Sequence, residues 1–123
     1  VIRINVESDH FPEQKNGALP GNCILEISGH SGIDVKGKDI LCAAVSVLGQ
    51  TFVVSVSALE GIEQSVAQHD GFLKSTVVSD KASGESRVAL RNYLDFLIRG
   101  IIELEKQYPE EIAFVVNLPG TAE

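Results

Sequence analysis

A chain of 123 residues with a formal net charge of -7 has room for one domain around a single core, not two, and its sign speaks against a protein that grips nucleic acid by the phosphates. Apolar residues at 44% and charged residues at 22% are the balance of a folded globular chain and exclude intrinsic disorder. An acidic surface serves solubility and also suits a basic partner.

Val1 to Glu7 alternates, with Ile2, Ile4 and Val6 on one side and Arg3, Asn5 and Glu7 on the other, the pattern of a half-buried strand. Ser8 to Asn22 is a long polar turn rich in Asp, Pro, Asn and Gly, and His10 within it reads as solvated surface. Cys23 to Ser28 returns as a second strand, expected antiparallel to the first, with Cys23 as a small core residue. The loop Gly29 to Lys38 follows, with glycines at 29, 32 and 37. Such glycines let a substrate main chain approach closely.

Asp39 is positioned to cap a helix whose first residues are Ile40, Leu41 and Cys42. No charge interrupts Ile40 to Leu59, which by length alone meets the rule for a membrane span. Ser46, Gly49, Gln50, Thr51, Ser55 and Ser57 make it a poor lipid-facing surface, so the reading is a central buried helix running to Gly61. Cys42, Ser46, Gly49, Gln50, Val53 and Ser57 share one stripe at 3.6 residues per turn, suited either to lining a groove or to close packing. Beyond Gly61, Ile62 to Val66 opens a strand or the first arm of a hairpin, His69-Asp70-Gly71 is a turn with an exposed histidine, and Phe72 to Ser79 is the next strand. Ser83 is the expected cap of an amphipathic helix from Glu85 to Tyr108, stopped by Pro109. Ala113 to Leu118 closes the chain as a strand. The fold class expected is α+β, a mostly antiparallel sheet packed with two long helices in the order β-β-α-β(-β)-α-β, as one domain over residues 1–123.

The chemistry concentrates between Gly29 and Thr51. Histidine and cysteine together make a sulfur nucleophile: the imidazole takes the thiol proton and the sulfur attacks a carbonyl. His30 and Cys42 stand at the two ends of the glycine loop. A sulfur in the first helical turn lies at the positive end of the helix dipole, which favours its anionic form, while the Asp39 carboxylate opposes this. Backbone N–H groups near Cys42 are the expected oxyanion donors. Ser46, one turn on, is able to hydrogen-bond near the sulfur, or else serves close packing of the helix. A third catalytic member would be Asp39 or Asp34, and spacing does not choose between them.

Two other chemistries are set aside. Gly32 to Lys38 fits GxxxxGK, but Asp39 stands where a P-loop needs Ser or Thr for magnesium, and its carboxylate would repel phosphate. With two cysteines and neither CxxC nor HxxxH spacing, no metal site and no cofactor are expected. The N-terminal stretch has no apolar secretory segment, so both cysteines read as reduced thiols in a cytoplasmic protein.

The strings Gly-His-Ser-Gly at 29–32 and Gly-Lys-Asp-Ile-Leu-Cys-Ala-Ala-Val-Ser at 37–46, with His30 and Cys42 twelve apart, resemble the signature of the bacterial ribosomal-processing cysteine proteases, the Prp family. Ser31 stands where that family commonly has alanine, and the turn from Ser8 to Gly21 is longer than usual. The resemblance covers nearly all of the chain. It implies a small cytoplasmic homodimer that removes the N-terminal extension of a large-subunit ribosomal protein, with bulky apolar and aromatic residues before the cut. It implies His30 and Cys42 as the catalytic pair with Ser46 supporting them; Asp39 as a supporting residue and Gly29, Gly32 and Gly37 as the substrate loop are expected from the residues themselves. Neither membrane nor direct nucleic-acid binding is part of this expectation. The alternative from another class is a non-catalytic ribosome-associated module in which the same loop grips a peptide.

Overall fold

The structure is a computed structural model that describes residues 1–8, 21–30 and 39–117. Alternation in the first two apolar runs produces β1 (Ile2–Ser8) and β2 (Asn22–Gly29), paired antiparallel with Ile4 opposite Ile27 and Val6 opposite Leu25. A helix α1 (Ile40–Ser57) follows, then a hairpin of β3 (Glu63–His69) and β4 (Phe72–Val78), a long helix α2 (Gly84–Gln107) and a last strand β5 (Ile112–Asn117). The sheet order is β3-β4-β2-β1-β5. Every pair is antiparallel except β1 with β5, so the α+β, mostly antiparallel architecture expected from the sequence is the one observed.

Because side chains alternate along a strand, one face of the sheet collects Ile2, Ile4, Val6, Cys23, Leu25, Ile27, Leu73, Val77 and Ile112. Both helices cover that face, α1 contributing Leu41, Val45, Phe52 and Val56 and α2 contributing Leu90, Leu94, Leu97, Ile98 and Ile101. The opposite face carries Arg3, Asn5, Glu7, Glu26 and Lys74. Leu94 is fully buried, and Leu94→Ala is expected to lower the unfolding free energy by about 2–5 kcal/mol, read as a lower urea midpoint at unchanged slope.

The caps are those the sequence signals. Ser83 accepts from the Ser86 N–H at the start of α2, and the Ser86 hydroxyl donates to the Glu60 carbonyl at 2.8 Å, tying α2 to the turn after α1.

Two expectations about α1 are corrected. The helix stops at Ser57 rather than running to Gly61: the Ala58 N–H closes the last turn on Ser55 and Val56, and Leu59 N–H bonds back to Val56. The intervening residues form a turn that ends at Gly61, whose φ of +79° belongs to the left-handed region. Nor is α1 a buried central helix. It is long and uncharged enough to cross a membrane by length and composition, yet it lies as an outer layer, with one face on the sheet and Ile40, Val47 and Val54 left 77%, 64% and 67% exposed on the other.

Candidate active site

His30 sits where β2 runs out. The Gly29 N–H donates to the Gly71 carbonyl at 2.9 Å, and the Val1 backbone nitrogen donates to the His30 carbonyl at 2.6 Å. The backbone there is held between β1 and the β3–β4 turn, while the imidazole remains exposed.

Cys42 stands in the first turn of α1, half-buried. Asp39 is the N-cap expected from its sequence position: its backbone is extended, its carboxylate accepts from the Cys42 N–H at 3.0 Å, and its carbonyl accepts from the Ala43 N–H at 3.1 Å. At 7% exposure the carboxylate is a buried part of the helix start. The Cys42 N–H is given to the cap and the Ala43 N–H to the helix, so of the backbone donors expected at the helix start these two are already engaged. Ser46, one turn along α1 from Cys42, and Gln50, two turns along, bring side-chain donors to the same cleft.

His30, Gly29, Asp39, Cys42 and Ser46 line one cleft of about 670 Å³. Buried Ile2, Ile27, Val45 and Leu73 give it an apolar floor; Cys42, Ala43, Ser46 and Gln50 form the α1 wall. Close approach of α1 to that floor depends on Gly49, where a Cβ would stand 2.8 Å from Leu73 Cδ2 and 2.9 Å from Ile27 Cδ1. Farther along the helix, Gln64 donates to the Val53 carbonyl at 3.0 Å and the Ser57 hydroxyl at 3.2 Å, and accepts from the Ser75 hydroxyl at 2.6 Å. The polar stripe headed by Cys42 therefore faces the hairpin, lining the cleft at one end and bonded to β3 at the other.

The second wall was not anticipated. Gln68, His69, Asp70, Gly71 and Phe72, the tip of the β3–β4 hairpin, complete the cleft opposite α1. His69 is exposed as expected; its ring stacks on Phe72 with centroids 4.9 Å apart and planes 15° apart, and its Nδ1 donates to the Asp70 carbonyl at 3.2 Å. The Asp-Gly pair signalled the turn, but only the pairing of Phe72 with Ser28 across β4 and β2 carries that turn to His30. Gly32, Gly37 and Asp34 lie outside the described residues, as does His10. Among the described residues no group of three or more His, Cys, Asp or Glu is arranged to hold a metal ion. Cys23 is buried in the core and is not disulfide-bonded to Cys42.

Solved structures that share this fold include three related ones. An essential ribosomal processing protease Prp from S. aureus with a covalently linked product peptide is 18% identical, aligned over 95% of this chain and 100% of that one, at a TM-score of 0.67. The protease of the same description with a substrate peptide gives 15%, 95% and 100%, and 0.63; SMU.848 from Streptococcus mutans gives 21%, 95% and 94%, and 0.63. No curated protein matches the chain significantly. The model of the family described as cysteine protease Prp matches residues 20–113, a span that holds both walls of the cleft, His30 and Cys42. On that match over most of its length, the chain belongs to the Prp family of cysteine proteases.

Proposed function

We propose that Cys42 is the nucleophile and His30 the general base of an endopeptidase that removes the N-terminal extension of a large-subunit ribosomal protein. The imidazole takes the Cys42 proton as the sulfur attacks the scissile carbonyl, then returns it to the leaving amine; the thioester is hydrolysed by water that the same imidazole deprotonates. Asp39 contributes by fixing the helix start that carries the sulfur, and the Ser46 hydroxyl, one turn along α1, is a side-chain donor on the same cleft for the oxyanion. The observation that carries this reading is that His30 and Cys42 open onto one cleft with an apolar floor, which suits a peptide bearing bulky apolar side chains. The S. aureus protease, described as ribosomal processing and as bound to substrate and product peptides, supports the choice of substrate class. The test is to incubate the protein with the precursor ribosomal protein from the same source and weigh the products. A single cut that shortens the N-terminus is expected; an unchanged precursor mass contradicts the assignment.

The net charge of -7 favours a basic protein substrate over direct contact with RNA. Thiols that stay reduced suit the cytoplasm. For the homodimer that the resemblance implies, the outer face of α1 is the candidate interface. Ile40, Val47 and Val54 recur at seven-residue spacing on a helix without charge, and a two-fold axis at Val47 would set Ile40 of each copy against Val54 of the other. Val47→Glu is expected to convert a dimer into a monomer in analytical ultracentrifugation with the far-UV spectrum unchanged, since the side chain faces solvent; an unaltered dimer would place the interface elsewhere.

A further inference from the structure

We infer that Gly71 is a positioning residue for the His30 imidazole, an inference that rests on His30 acting as the base. The ring lies against the hairpin turn: a Cβ built on Gly71 would stand 2.9 Å from His30 Nε2, 3.4 Å from Cε1 and 3.7 Å from Cδ2, and among the described residues, its two chain neighbours aside, no other atom comes as near. The turn itself cannot easily retreat. Gly71 accepts from the Gly29 N–H at 2.9 Å, and Phe72, the next residue, is in register with Ser28 across the β4–β2 ladder. The imidazole, by contrast, is exposed and turns about side-chain torsions. Adding one carbon at position 71 therefore moves the ring and spares the fold. Glycine is called for twice over here, once by a φ of +73° in the left-handed region and once by the ring resting on it.

The two requirements separate experimentally. Gly71→Asn adds the Cβ with a residue that tolerates the left-handed region, and Gly71→Ala adds the Cβ together with backbone strain. Gly61→Ala, at a φ of +79° on the turn after α1, adds comparable strain far from the cleft. The displaced base is expected to cost about 10²-fold in kcat in both Gly71 variants, with peptide affinity held within about threefold and the NMR resonances of the His30 ring shifted. Gly61→Ala is expected to cleave as wild type. His30→Ala measured alongside keeps the two claims apart. If it is inactive while Gly71→Asn cleaves as wild type, the positioning role is overturned and the base assignment stands; if His30→Ala itself cleaves as wild type, the base assignment fails and the inference with it. Loss of the folded far-UV spectrum in Gly71→Asn would also overturn the inference, because the backbone and not the ring would have yielded.

Discussion

Cys42→Ala is expected to lose cleavage by on the order of 10⁶-fold, the scale seen when a protease nucleophile is removed, while binding the precursor peptide within a few-fold of wild type. The substitution deletes one sulfur and nothing else. Position 42 is half-buried in the first turn of α1, where alanine is the better helix former, and the cap from Asp39 reaches the backbone N–H of residue 42, which alanine retains. A loss of activity without a loss of stability or binding is therefore chemical. Cleavage and binding assays on the same preparation check it. Wild-type cleavage by the variant would rule out the thiolate mechanism, and absence of cleavage by the wild type would favour the peptide-binding module instead.

His30→Ala has the second largest expected effect, a fall of about 10²–10⁴-fold in kcat, the range of a positioned acid–base group. Because nucleophile and base act as a unit, the double variant with Cys42→Ala is expected to be no worse than Cys42→Ala alone. The exposed position of His30 at the end of β2 keeps the core out of the result. Iodoacetamide gives an independent readout: Cys42 in the cleft is expected to alkylate, more slowly in His30→Ala, while Cys23, 3% exposed in the core, stays unlabelled in both and serves as the internal control. Equal alkylation of Cys42 with and without the imidazole would mean that His30 does not assist the sulfur.

What the chain reveals before folding is mostly what is local. The alternation of β1 follows from one covered face, and the period of α2 from one buried stripe, so both were legible, as were the Asp39 and Ser83 caps, each a side chain reaching two or three residues along. The end of α1 was not, because Phe52, Val53 and Val54 fit either helix or strand, and the bonds of Ala58 and Leu59 back onto the last turn decide it. The exposure of α1 was hidden for a related reason: absence of charge reads as burial, whereas a helix on an outer layer buries one side only. At the site, His30, Asp39, Cys42 and Ser46 could be named from a motif in one short stretch. The hairpin wall could not, since Gly71 reaches His30 through a pairing of strands more than forty residues apart in sequence.

The most direct measurement is a structure of Cys42→Ala with an uncleaved precursor peptide bound. The scissile carbonyl is expected in the cleft between α1 and the β3–β4 hairpin, about 3–3.5 Å from where the sulfur would stand, with a nitrogen of His30 on the same side and within hydrogen-bond reach of that point. A peptide bound elsewhere, or an imidazole turned to the opposite side of the sheet end, would contradict it.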